Sequence, residues 1–127
     1  MERKISITFR GAKLFVNFPN VGQLIDIEAL KQAYTNGRYG SMVQAGVRTS
    51  NLILDYVDAI SFIQTCVPQI ARIVEIKNYS QMSPLPAAEI VKTYKEQIEP
   101  WLGRCMEELY NFDKEENGVE EKETNEG

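Results

Sequence analysis

Two aspartates on one predicted helix are the side chains best placed for acid–base chemistry. Asp55 and Asp58 are three residues apart, so a helix puts them on the same side. A pair of carboxylates can serve as general acid and general base. However, the chain has no histidine, and no nucleophile or metal-ligand pattern accompanies the two aspartates. A solvated helix face is the simpler interpretation, and we expect no catalytic residues and no enzyme.

The two cysteines do not form a recognisable redox or metal motif. Cys66 and Cys105 are far apart, with no C-x-x-C spacing, and two such residues are too few for a zinc finger. Buried free thiols in a reducing compartment are the favoured interpretation, although a disulfide between the two stays open. Phosphate-binding and dinucleotide-binding glycine loops are also missing. We therefore expect neither a cofactor nor a metal.

Charge is distributed unevenly along the chain. The net charge is −4, and residues 113–127 alone contain seven acids and two lysines, so the rest is close to neutral. Nucleic-acid binding needs clustered Lys and Arg, and we expect none. No apolar run is long enough for a membrane span, and no signal peptide is visible, so we expect no membrane contact and a cytosolic protein.

The first residues show the period-two alternation of a β-hairpin. Ile5, Ile7 and Phe9 alternate with polar residues over 4–10, and residues 13–18 repeat the pattern. Gly11-Ala12 lies between the two runs and is predicted as the turn. Phe15 falls on the face opposite to the apolar one, where it could mark a surface for self-association. A lone hairpin is marginal in water, so it must pack on helices or gain a strand from another chain.

The stretch 20–37 reads as a complete helix. Asn20 and Gln23 have the spacing of a capping box, and Asn36-Gly37 is a stop signal. The helix carries one apolar face, formed by Leu24, Ile27, Leu30 and Tyr34 and widened by Val21 and Ile25. With these signals at both ends, 20–37 is predicted to be the central element of the chain.

Further helices are predicted after this one. Residues 38–46 are ambiguous and fit a short helical connector, and 51–65 carries a long apolar stripe that Pro68 must interrupt. Residues 69–76 suit either a helix or a short strand, and we favour a helix. After a loop over 78–85, a last helix begins with Pro86 at its first position and runs to Phe112. Pro100 predicts a kink in it.

Together these patterns predict an α+β protein that is mostly helical. An N-terminal β-hairpin over 4–18 precedes a helical body over 20–112 with about four to five α-helices, and 1–112 forms a single globular domain. Trp101 and Cys105 lie on the apolar stripe of the last helix and are predicted in the core. Residues 113–127 are densely acidic with one isolated apolar side chain, so we predict a disordered tail.

Two stretches resemble tail assembly chaperones of tailed bacteriophages. The segment 7–31 has the strand pair and the junction of that family, with Pro19, Val21, Gly22, Leu24 and Ile25 followed by Glu28. The stretch 91–109 is similar in its placing of Tyr94 and Pro100-Trp101. The resemblance covers about the first third of the chain and part of the last helix.

This resemblance implies a non-catalytic assembly factor. Such chaperones bind the long helical tape measure protein and keep it soluble in the host cytoplasm until tail tube subunits polymerise around it, and they are absent from the mature virion. The tape measure protein would be the partner, tail tube subunits a possible second one, and a homo-oligomer is possible. Candidate residues for an apolar binding surface are Phe15, Tyr39, Met42, Val43, Met82 and Met106.

Two other functions stay open. The first is a structural virion component, such as a tail-completion, connector or minor capsid protein, whose hairpin would extend the sheet of a neighbour. The second is a small host-directed binding protein of an unrelated family. Neither requires a catalytic residue.

Overall fold

A computed structural model describes residues 3–46 and 48–126, with side chains described except at 49, 50 and 113–126. The elements in chain order are β1 (Lys4–Phe9), β2 (Ala12–Asn17), α1 (Val21–Thr35), α2 (Tyr39–Ala45), α3 (Arg48–Cys66), α4 (Gln69–Val74), a 3₁₀ turn (Tyr79–Gln81), α5 (Pro84–Thr93), a π-helical turn (Tyr94–Ile98) and α6 (Glu99–Glu126). The last three follow one another without a break and are called the long helix. The predicted α+β class, a hairpin followed by five helices, is confirmed.

The hairpin is a two-stranded antiparallel sheet in the predicted face pattern. Its register pairs Lys4 with Asn17 and Phe9 with Ala12. Ile7, Phe9 and Val16 are buried, while Phe15 points outward. The predicted turn is displaced by one residue: Arg10 and Gly11, with φ of 49° and 80°, form it. A two-residue hairpin turn that suits the strand twist needs positive φ at both positions, so Ala12 belongs to β2.

Both predicted ends of α1 are confirmed. The Gln23 N–H donates to Asn20 Oδ1 at 2.8 Å, and the Asn20 N–H donates to Gln23 Oε1 at 3.0 Å. This reciprocal pair satisfies two backbone donors that the helix start would leave free. At the other end, Asn36 adopts the left-handed conformation that stops a helix.

The apolar face of α1 is narrower than predicted. Ile27 is buried, but Val21 and Ile25 are exposed and do not widen the buried face. Helix periodicity identifies apolar positions, but it does not say how wide the packed contact is. Consequently α1 is a peripheral helix and not the central element that its terminal signals suggested.

The central element is α3. It packs against α1, α2 and α5, and its residues Ala59, Ile60, Phe62 and Ile63 are buried in the core cluster. Residues 38–46, which were ambiguous in sequence, contain the short helix α2. The favoured helix over 69–76 is present as α4, which ends at Glu75 in the left-handed conformation.

The long helix begins two residues earlier than predicted. Ser83 is extended and acts as its N-cap, and Pro84 occupies the first helical position. Pro86 also lies in this first turn, where a helix does not use the backbone N–H, so proline is tolerated there.

A π-helical turn directly precedes Pro100. The Glu99 N–H donates to the Tyr94 carbonyl, five residues back. Proline lacks an N–H and its ring would crowd the carbonyl four residues earlier, so a widened turn on that side accommodates it. The irregularity predicted at Pro100 therefore lies over Tyr94–Ile98, and the helix continues through the proline.

Three contacts fasten the hairpin along the long helix. Arg10 pairs with both carboxylate oxygens of Glu89 at 2.9 and 3.0 Å. The Gln97 amide accepts from the Thr8 N–H and donates to the Thr8 carbonyl, each at 2.8 Å. At the far end, the Phe18 ring meets Trp101 edge-on at 6.1 Å. The π-helical turn thus presents the Gln97 side chain to β1.

The acidic segment 113–127 was predicted to be disordered. Its side chains lie outside the described part of the chain, so this stays a prediction. Along the backbone α6 runs to Glu126, and its described side chains end at Phe112.

Candidate protein-interaction surfaces

Asp58 joins α2 to α3. The Tyr39 hydroxyl donates to Asp58 Oδ1 at 2.5 Å, and Lys31 Nζ of α1 lies 4.0 Å from the same oxygen. Burial raises the pKa of Asp58, and it outweighs the opposing effects of the Tyr39 hydrogen bond and of Lys31. Burial and the Asp58 charge also raise the pKa of Tyr39, so its hydroxyl stays a donor at neutral pH.

Asp55 makes a separate contact one turn earlier on α3. Lys95 Nζ of the long helix lies 3.0 Å from Asp55 Oδ1, and both side chains are partly exposed. The two aspartates therefore do not converge on one site. The sequence analysis predicted an open solvated face for both aspartates. In the structure each of them instead links α3 to another helix. Their arrangement supports packing between helices.

Substitution of Asp58 tests this packing role. Asp58→Ala is expected to lower the free energy of unfolding by about 1–3 kcal/mol, because the partly buried Tyr39 hydroxyl loses its acceptor. Asp58→Asn keeps an acceptor and removes the desolvated charge, so we expect at least wild-type stability at pH 7. Urea denaturation measures the stability of both variants. Asp55→Ala is the control, because loss of an exposed ion pair should lower the free energy of unfolding by less than about 1 kcal/mol.

The pH dependence of the same variants has a definite sign. Since the pKa of Asp58 is raised on folding, the native state retains its proton at a pH where the unfolded chain has lost it. This contribution to stability is present below the ordinary aspartate range and lost as pH rises through the raised pKa. Relative to wild type, Asp58→Asn should therefore become more stable over that rise. If the difference in free energy of unfolding between Asp58→Asn and wild type did not change over this pH range, the raised pKa of Asp58 would be contradicted.

Neither cysteine forms a disulfide in the described part of the chain, and thiols were favoured from sequence. Cys105 is buried and Cys66 is partly buried. Burial raises the pKa of the Cys66 thiol to about 11, so it stays protonated at neutral pH. Among the described residues, no three Asp, Glu, Cys or His side chains are grouped as metal ligands would be. None of the described helices combines the length and hydropathy of a membrane span.

The six predicted surface residues are spread over the molecule. Phe15, Val43 and Met106 are exposed, whereas Tyr39, Met42 and Met82 are partly buried. The Tyr39 hydroxyl already donates a hydrogen bond to Asp58, and Met82 packs against the core cluster. One cavity is lined by Met82 and another by Phe15, and neither is lined by any of the other five predicted surface residues. Tyr39, Met42 and Val43 thus share the short helix α2, whereas Phe15, Met82 and Met106 lie on three other segments of the chain.

A different apolar surface lies on α6, where the helix extends past the hairpin. Met106, Leu109, Tyr110 and Phe112 are all exposed, and we call them the α6 apolar surface. Leu109 and Phe112, which are 40% and 67% exposed, continue the helix side that buries Trp101 and Cys105. The same stripe is therefore covered at its start and uncovered at its end.

A cavity of about 220 Å³ adjoins this surface. It is lined by Arg3, Phe18, Cys105, Glu108, Leu109 and Phe112. Its floor is apolar, and one basic and one acidic residue are among its lining. Small-molecule sites usually occupy about 300–1,000 Å³. The cavity is thus better matched to a side chain of a protein partner, with the exposed helix face extending the contact.

Sequence reasoning missed most of this surface because its signal was assigned to the core. Leu109 and Phe112 fit the helical periodicity of buried positions, and only Met106 was singled out. Sequence can show that a stripe is apolar, but whether another element covers it depends on where the hairpin ends. A usable signal was the length of the stripe, which exceeds what a hairpin with six-residue strands can cover.

Comparison of the chain with protein-family models, with curated proteins and with solved structures finds no match.

Proposed function

We propose that this protein is a non-catalytic tail assembly chaperone of a tailed bacteriophage. In this proposal it binds the tape measure protein in the host cytoplasm, keeps it soluble while the tail tube polymerises, and is left out of the mature virion. Tail tube subunits would displace it as they take over the partner. The resemblance at Pro19–Ile25 points to the family, and the α6 apolar surface supplies the means of binding.

The observation that carries the proposal is the exposure of Leu109 and Phe112 beside an apolar cavity. Exposed contiguous apolar groups on a water-soluble domain mark interaction sites. An amphipathic helix could lie along α6 with one large side chain in the cavity and its polar face outward, as helices bind in apolar grooves. A tape measure protein offers such helices in large number, which suits a chaperone that binds many similar segments.

Charge supports the same role. Residues 113–127 follow the α6 apolar surface directly, and their seven acids and two lysines carry more negative charge than the chain's net −4. Like charges repel one another, so copies bound along one partner would resist aggregation. A binding surface and a charged solubilising segment are the two properties that such a chaperone needs.

Co-expression tests this proposal. The tape measure protein encoded in the same genome should be found mostly in the pellet when produced alone and mostly in the soluble fraction when produced with this chain. An unrelated acidic protein of similar size is the control for a nonspecific effect of charge. An equally insoluble tape measure protein in the presence of this chain would contradict the proposal.

A structural virion component is the second candidate, and the exposed outer edge of β2 favours it, because such an edge can extend a neighbour's sheet. Mass spectrometry of purified particles separates the two functions. The chaperone proposal predicts that this chain is lost from mature particles, whereas a structural component would be present in stoichiometric copies.

A further inference from the structure

The outer edge of β2 carries backbone groups that pair with nothing in the described part of the chain. The Phe18 N–H donates to the Arg3 carbonyl at 2.6 Å. This bond shows which residues of β2 direct their backbone groups toward β1 and which direct them away from it. Because backbone groups alternate in direction along an antiparallel strand, the N–H and C=O of Lys13, Phe15 and Asn17 point away from β1. Phe15, 54% exposed, lies at the centre of this edge.

The opposite edge of the hairpin is interrupted. The outward groups of β1 belong to Lys4, Ser6 and Thr8, and Gln97 occupies both groups of Thr8. The long helix reaches β1 from this side. Among the residues that the structure describes, β2 therefore has the edge that is open over its whole length.

We propose that β2 pairs antiparallel with β2 of a second copy of this chain, about a two-fold axis at Phe15. The two hairpins then form one four-stranded sheet. In this register Phe15 faces Phe15 of the second copy, and Lys13 faces Asn17 of the second copy. All outward N–H and C=O groups of the three edge residues in both copies find partners.

The side chains favour this register over its neighbours. The two Phe15 rings meet as a cross-strand aromatic pair, flanked by Lys4 and Lys13, whose ammonium groups already lie 5.0 and 5.5 Å from the ring centre. An axis at Lys13 would place two lysines opposite each other. An axis at Asn17 would place Phe15 opposite Pro19, which has no N–H to donate. Among axes placed at one of the three outward-facing residues, only the axis at Phe15 avoids both.

The same geometry closes the assembly at two copies. After pairing, both exposed edges of the four-stranded sheet are β1 edges, and Gln97 blocks each of them at Thr8. Charged lysines along the strands further oppose open-ended pairing. The proposal therefore concerns a closed dimer formed by the hairpin, on a surface separate from the α6 apolar surface.

Proline substitution tests which edge is used. Phe15→Pro removes an outward N–H without breaking the bonds between β1 and β2, and Ser6→Pro does the same on the other edge, directly opposite. By light scattering across a dilution series, wild type and Ser6→Pro should reach twice the chain mass of 14.5 kDa. Phe15→Pro should stay at 14.5 kDa with an unchanged circular dichroism spectrum. A monomeric wild type, or dimeric Phe15→Pro, would overturn the proposal.

Cross-linking gives an independent measurement that does not depend on the proline variants. Directly paired residues in an antiparallel sheet have Cα atoms about 5.5 Å apart, within disulfide range. Phe15→Cys should form a disulfide-linked dimer on mild oxidation. Ser6→Cys would be separated from its equivalent by three strand spacings, about 14 Å, and should not. Wild type controls for Cys66 and Cys105, and equal cross-linking of the two variants would contradict the register.

Discussion

Replacing Trp101 with alanine is expected to lower the free energy of unfolding by about 3–5 kcal/mol, the usual cost of deleting a buried aromatic side chain. Trp101 is 4% exposed, and its ring meets Phe18 edge-on at 6.1 Å. It lies where the end of β2 rests on α6, so the substitution leaves a cavity between the hairpin and the long helix. Both elements should loosen together.

Urea denaturation measures this effect, and Phe112→Ala is the matched control. Phe112 is an aromatic residue of the same helix, but it is 67% exposed. Its loss should change stability by no more than about 0.5 kcal/mol, as exposed positions generally do. If the two variants were equally stable, the hairpin would not depend on Trp101 for its attachment.

If the chain has the proposed function, the double substitution Leu109→Asp with Phe112→Asp should weaken binding of the tape measure protein by about 100-fold or more. Apolar anchors at the centre of an interface commonly contribute about 2 kcal/mol or more each, and 1.4 kcal/mol corresponds to tenfold in affinity. Both side chains are exposed, so the unbound fold should tolerate the change. Affinity is measured by titrating the variant against a labelled helical segment of the tape measure protein.

Leu85→Asp is the control for this experiment. Leu85 is 81% exposed at the opposite end of the long helix, and the substitution makes the same chemical change as Leu109→Asp. It should bind the segment as tightly as wild type. Equal weakening by both variants would indicate a general effect of added negative charge and would contradict a specific site on α6.

Local features of the fold were predictable because their causes are local. The alternation of Ile5, Ile7 and Phe9 fixed the inward face of the hairpin, and Asn20 with Gln23 fixed the start of α1. Each of these depends on residues a few positions apart. The turn at Arg10-Gly11 was displaced by one residue because the positive φ of a non-glycine residue leaves little trace in sequence.

Contacts between distant residues were not predictable in the same way. The bonds from Thr8 to Gln97 and from Tyr39 to Asp58 join elements whose relative placement depends on packing of the whole core. The same limit affects the candidate site. Periodicity identified the apolar stripe of the last helix, but only the position of the hairpin determines that Trp101 is covered while Phe112 is not.

Hydrogen–deuterium exchange of the full chain tests most directly whether the α6 apolar surface binds a helix of the tape measure protein, as proposed. Exchange is compared for the free protein and for its complex with the tape measure protein. Binding at this surface predicts slower exchange in peptides covering 105–112 and Phe18, with little change over 84–93. Unchanged exchange at 105–112 in a complex that protects another part of the chain would contradict the claim.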